Sequence, residues 1–138
     1  MSLNLQDDQL LALFQRTRVI AIVGLSPNPA KASYGVAEYL SQFYRIVPVN
    51  PNYDEILGIT CYPNLQAIPI RVDLVDVFQR PERMPALLPE VLTIRPDPFW
   101  MQLGITHEAV AASMSQVGIS VIQNRCTKID HQRVMSGA

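Results

Sequence analysis

Apolar residues fall into short continuous runs separated by stretches with helical spacing, and this alternation sets the expected fold. VIAIVG, Val19–Gly24, is unbroken by polar residues, as in a strand covered on both faces. Upstream, Leu10, Leu11, Leu13 and Phe14 follow Asp7 and Asp8 and predict a short helix with acids near its positive end. Val36, Ala37, Tyr39, Leu40 and Phe43 predict a helix over Tyr34–Phe43, and Tyr44–Val49 is rich enough in β-branched residues for a second strand. Pro51–Pro63 reads as a long loop with a small β-excursion near Ile59–Tyr62, followed by a helical turn at Leu65–Ile68. DLVDVF, Asp73–Phe78, and FWMQL, Phe99–Leu103, predict the third and fourth strands. Between them Pro85 and Pro89 predict a short or broken helix within Glu82–Leu92. Thr106 is placed to cap a helix over Glu108–Val117, Gly118 to end it, and Ile119–Gln123 to form a fifth strand.

Such alternation predicts an α/β fold: a Rossmann-like three-layer sandwich around a mostly parallel five-stranded sheet, with expected order 3-2-1-4-5. With 138 residues and neither repeat nor linker, residues 1–138 read as one domain. A net charge of −1 gives nucleic acid and anionic membranes no broad basic surface to meet. No apolar run nears the ~20 residues of a membrane span, and Met1–Asp8 lacks the parts of a signal peptide. The expectation is a cytoplasmic protein. Cys61 and Cys126 are too few for a disulfide framework and read as free thiols.

The loop after the first strand, Gly24–Ser33, is where a parallel sheet of this type binds ligands. Gly24 permits a tight turn, amides at the following helix start can face a phosphate, Ser26 and Ser33 add hydroxyls, and Lys31 adds a charge. The dinucleotide pattern GxGxxG is incomplete, with Ser26 and Pro29 at the second and third glycine positions, so a merely structural turn is an open alternative. The second strand ends in PVNP, Pro48–Pro51, with Asn50 where NAD-binding proteins commonly carry an acid for the ribose. A phosphorylated adenosine is therefore favoured over NAD.

Taken in order, VGLSPNPAKASYGVAEYL, VPVNPNYDEILGITCYPNL, VDLVDVFQRPE, FWMQLGI and ISVIQNRC resemble the small stand-alone CoA-binding proteins. Their domain is similar to the CoA-binding part of the succinyl-CoA synthetase alpha subunit, and the resemblance spans Thr17–Ile129. It implies coenzyme A or an acyl-CoA as the ligand, with Gly24, Leu25, Ser26, Pro27 and the segment through Tyr34 at the diphosphate, and Lys31 and Ser33 nearby. Asn50 and Pro51 would border the adenosine; Phe78–Pro81, including Arg80, and Gln102–Gly104 would guide the pantetheine arm. Related sequences often carry a basic residue just after the NP pair, where this chain has Asn52, leaving Arg80 or Lys31 to meet the 3′-phosphate. The phosphohistidine domain of the synthetase lies outside the resemblance, and its activity is not carried over.

Other reactive residues read more plainly. Cys126, beside Arg125, fits a packing role better than a reactive thiol; His107 fits a cap or surface role better than a general base. Asp73 and Asp76 would point to opposite strand faces and do not make a carboxylate pair. No metal-ligand spacing is present, and Phe99 and Trp100 read as core or crevice residues, with adenine stacking as an alternative. Three functions remain: a CoA-binding carrier, sensor or regulatory module, more readily non-catalytic than an enzyme; an NAD(P)-binding oxidoreductase-like or redox-sensing protein; and a scaffold whose Ala109–Val117 face supports packing or a homodimer.

Overall fold

The computed structural model describes residues 5–136, so Met1–Asn4 lie outside the described residues. The chain runs α1 (Asp7–Arg16), β1 (Val19–Val23), α2 (Ala32–Leu40), β2 (Arg45–Val49), a hairpin of β3 (Glu55–Ile56) and β4 (Ile59–Thr60), and a 3₁₀ turn at Leu65–Ala67. It continues through β5 (Leu74–Val77), a 3₁₀ turn at Pro81–Arg83, α3 (Met84–Ile94), β6 (Phe99–Met101), α4 (Glu108–Gln116), β7 (Val121–Ile122) and α5 (Thr127–Ser136).

Strand alternation divides the core into two layers around the sheet. Ile20, Ile22, Leu74, Trp100 and Ile122 pack with α1, α2 and α5; Ala21, Val23, Val75, Phe99 and Val121 pack with α3 and α4. The three-layer α/β expectation holds. Phe99 and Trp100 are wholly buried, and the Trp100 indole N–H donates to the Arg125 carbonyl at 2.8 Å, so neither ring can stack on adenine. On α4, Val110, Ala111 and Met114 face the core. No helix among the described residues is long and apolar enough to cross a membrane.

The expected strand order requires correction. The five parallel strands run β2-β1-β5-β6-β7, so the third major strand lies beside the first and not outside the second. Pro48 supplies the reason. Residues 45 and 49 turn their polar backbone atoms toward β1, through Arg45 N–H to Arg18 O at 3.0 Å and Gly24 N–H to Val49 O at 2.9 Å. Pro48 therefore faces outward and has no N–H to offer a strand there, a situation tolerated at an edge. Tyr62 covers this edge, donating to Pro48 O and accepting from Asn50 N–H at 3.0 and 2.9 Å.

Three smaller expectations also change. α3 is continuous over 11 residues, because Pro85 lies in its first turn, where an N–H has no helical partner, and Pro89 removes only the bond to the Pro85 carbonyl. His107, not Thr106, caps α4, its Nδ1 accepting from Val110 N–H at 3.2 Å. α5 was not anticipated: its buried stripe, Thr127, Asp130, His131 and Val134, has helical spacing but is mostly polar.

Candidate functional site

The site forms where strand connections diverge, between the carboxyl ends of β1 and β5. Gly24 closes β1 with φ +81°, and a Cβ there would stand 2.5 Å from the Phe78 carbonyl oxygen and 3.0 Å from Gln79 Cγ. Glycine is thus needed twice: for the left-handed backbone and for close approach of the loops. Phe78 N–H fastens the second loop to Val23 O at 2.8 Å.

Loop 24–31 is built by its own polar groups. Ser33 Oγ accepts from Ser26 N–H at 3.0 Å, Ser26 Oγ from Asn28 N–H at 3.1 Å, and Asn28 Oδ1 from Ala30 N–H at 3.0 Å. Those amides are consequently engaged within the protein, while the serine hydroxyl protons remain available to donate. Among the described residues no side chain caps α2, whose first N–H groups at Ala32 and Ser33 lack helical acceptors. The Asn50 side chain braces the loop, donating to Leu25 O at 3.1 Å and accepting from Asn52 N–H at 3.0 Å.

Two clefts flank the Phe78–Arg80 loop. A polar cleft of about 390 Å³ is lined by Gly24, Asn50, Pro51, Asn52 and Arg83, with Phe78, Gln79 and Arg80 on the wall it shares with the next. Among the described residues no carboxylate lines it, so its ionic character is cationic. The neighbouring cleft, about 410 Å³, is walled by Val36, Pro81, Leu103, Ile105 and Cys126 and also reaches Ala32, Gln102 and Gly104. Its lining is mostly apolar, suiting a flexible chain with few polar groups. Gly104, at φ +81°, donates its N–H to Asn124 Oδ1 at 2.7 Å, anchoring one rim to the end of β7.

Among the expected site residues, Gly24, Asn50, Pro51, Phe78, Arg80, Gln102 and Gly104 line these clefts. Leu25, Ser26, Pro27, Lys31, Ser33 and Tyr34 do not line either one. Leu25 is a core residue with no exposure, Ser33 is buried, and Pro27 and Lys31 project into solvent. Asp54 and Glu55, acids that could have reached a ribose, are absent from both linings. Sequence reasoning missed Arg83, Val36 and Ile105. The available signal for Arg83 was its position three residues beyond Arg80, across a Pro-initiated turn.

Asp76 lies wholly buried behind the apolar cleft. Its Oδ1 accepts from Gln102 Nε2 at 2.6 Å, its Oδ2 accepts from the Thr127 hydroxyl at 2.8 Å, and Gln102 Nε2 also donates to Thr127 Oγ1 at 2.7 Å. Burial pushes the carboxyl up to about 7, against the opposing effect of the two hydrogen bonds. The network joins β5, β6 and the start of α5 and fixes Gln102, which also lines the cleft. Cys126 is half-buried and packs with the α1–α2–α5 layer while forming part of the cleft wall.

Comparison with known proteins bears on this geometry. A family model described as a CoA binding domain matches residues 18–132. An uncharacterized protein of Bacillus subtilis, YneT, is 35% identical over 124 residues, covering 89% of this chain and 92% of YneT. A structure from Thermus thermophilus, cell-free ID.343, superposes with TM-score 0.91 at 34% identity, covering 94% of this chain and 99% of the other. A 74-residue stretch is 36% identical to acetate–CoA ligase (ADP-forming) I of Archaeoglobus fulgidus, covering 53% of this chain but only 11% of that enzyme.

Proposed function

We propose a ligand arrangement from an established kinship: this chain belongs to the CoA-binding domain family, and its two joined clefts suit the two chemically unlike halves of coenzyme A. The adenosine and diphosphate occupy the polar cleft and the uncapped start of α2; the pantetheine arm crosses Phe78–Arg80 into the apolar cleft. The acid-free polar cleft beside Gly24 carries this reading, because it favours a polyanion over a ligand needing an acid at its ribose. Coenzyme A itself supplies a thiol able to carry an acyl group as a thioester. The protein's contribution is to bind the anionic end and exclude water from the arm, as a non-catalytic carrier, sensor or regulatory module.

The loop roles are narrower than its sequence implied. Leu25 contributes its backbone only, since its side chain belongs to the core. Ser26 and Ser33 donate hydroxyl protons while their oxygens hold the loop amides. Lys31, exposed at the N-cap of α2, offers long-range attraction that salt screens, with no seat in either cleft.

Calorimetric titration of the purified protein with CoA and with NAD tests this reading. CoA should saturate one site, and a Lys31→Ala variant should retain it with affinity reduced by less than about tenfold, the scale of an exposed charge. Saturable NAD binding with no response to CoA would refute it.

A further inference from the structure

Arg83 has no role in the assignments above, yet it lines the polar cleft together with Arg80. We propose that these arginines recognise a phosphomonoester on the ligand's ribose, the 3′-phosphate, and that Arg83 sets the preference for CoA over its 3′-dephospho form. This inference rests on the CoA reading.

Local geometry brings the two together. Arg83 N–H donates to Arg80 O at 2.9 Å, closing the turn at Pro81–Arg83. Arg80 is the extended residue that precedes the turn and Arg83 its last residue, and both belong to the lining of the polar cleft. Asn52, in the same lining, is neutral, and Lys31 is outside it. The cationic recognition therefore comes from the loop after β5 instead of the loop after β2.

Charge selects the class of anion. A phosphomonoester carries roughly −1.5 to −2 at neutral pH and presents several acceptor oxygens, suited to planar guanidinium donors. Among the described residues neither arginine is in an ion pair, so a phosphate has no carboxylate to displace. Glu90 shares an adjoining cleft with Arg83, but its Oε1 already accepts from Leu65 N–H at 2.8 Å.

The experiment titrates CoA and 3′-dephospho-CoA into the unmodified protein, Arg83→Met and Arg80→Met, with thermal melts as a folding check. Both arginines are exposed, so methionine can replace either stem without opening the core. The unmodified protein should prefer CoA by ~10- to 100-fold, the discrimination expected from charge-assisted hydrogen bonds. Arg83→Met should remove most of that preference by weakening CoA while leaving dephospho-CoA within about twofold, and the difference should shrink as salt rises. Equal affinity of the unmodified protein for both ligands, or an undiminished preference in Arg83→Met, overturns this inference and leaves the CoA reading standing. Failure of the unmodified protein to bind either ligand defeats both.

Discussion

Replacing Asp76 with Asn changes how stability depends on pH. Asp76 has no ion-pair partner among the described residues; its neighbours are the neutral groups of Gln102 and Thr127. Its carboxyl titrates near an ordinary 3.8 when unfolded and near about 7 when folded, because burial disfavours its charge. Between those values the folded state retains a proton that the unfolded state has released. Stability from this group is therefore fully present below about pH 3.8 and is lost as pH rises through about 7. The separation corresponds to on the order of 4 kcal/mol, a large fraction of a small domain's total stability.

Asn keeps the size but cannot ionise. It leaves the Thr127 hydroxyl with an amide to face, so the variant carries a fixed cost that does not vary with pH. His131 requires a control: burial pushes its imidazole down, so its own contribution falls as pH drops through 6.5, opposite in sign to that of Asp76. The unmodified protein and Asp76→Asn should therefore be compared by urea unfolding at pH 4, 5.5, 7 and 8. Trp100, the chain's single tryptophan and the register partner of Asp76, reports unfolding by fluorescence. Relative to the unmodified protein, Asp76→Asn should gain stability steadily from pH 4 to 7 and level off above. Parallel profiles would refute burial as the cause of the shifted carboxyl.

Substitutions at two other places test separate parts of the structure. Gly24→Ala introduces left-handed strain and a Cβ 2.5 Å from Phe78 O, so it should cost roughly 3 kcal/mol or more and weaken CoA binding, read by melting and calorimetry. At α5, Asp130 is 5% exposed and held by Arg125 at 2.8 Å and Arg133 at 2.8 Å. Arg125→Met and Arg133→Met should each cost about 1 kcal/mol, because the other arginine remains, while the double variant should cost roughly 4 kcal/mol by stranding a buried carboxylate. A double-mutant cycle in denaturant measures that non-additivity, and simple additivity would show that the arginines act independently.

Apolar patterning made β1, β2, β5 and β6 legible because their runs are continuous and both sheet faces are covered. α5 was hidden by its chemistry. A Thr, Asp and His can occupy a core-facing stripe when each has a partner, and here Asp76, the two arginines and the Tyr39 hydroxyl provide them. Hydropathy alone cannot reveal this, since the partners lie up to 92 residues away. α3 was underestimated for a different reason: proline cost depends on its turn within a helix, and Pro85 occupies the tolerated one. At the candidate site, Gly24 and the Phe78–Arg80 and Gln102–Gly104 segments named from sequence line the two clefts, whereas of residues 25–34 only Ala32 does, because Leu25 and Ser33 are buried and the loop amides are bonded internally.

The strand order also decides which loops line the candidate site. Under 3-2-1-4-5, the chain would reverse direction between its first and fourth major strands, making Met101–Gly104 the immediate neighbour of Gly24. With β5 beside β1, Phe78–Arg83 takes that place and Gln102–Gly104 moves one strand farther out. In the proposed arrangement the anionic end of the ligand beside Gly24 consequently meets Arg80 and Arg83 first, while an arm leaving that point crosses Phe78 to reach Leu103 and Ile105. Pro48 carries this difference: a strand with no N–H toward its outer neighbour belongs at an edge, and placing β2 there sends β5 across to β1. One proline in β2 thus couples sheet order to the charge that lines the polar cleft.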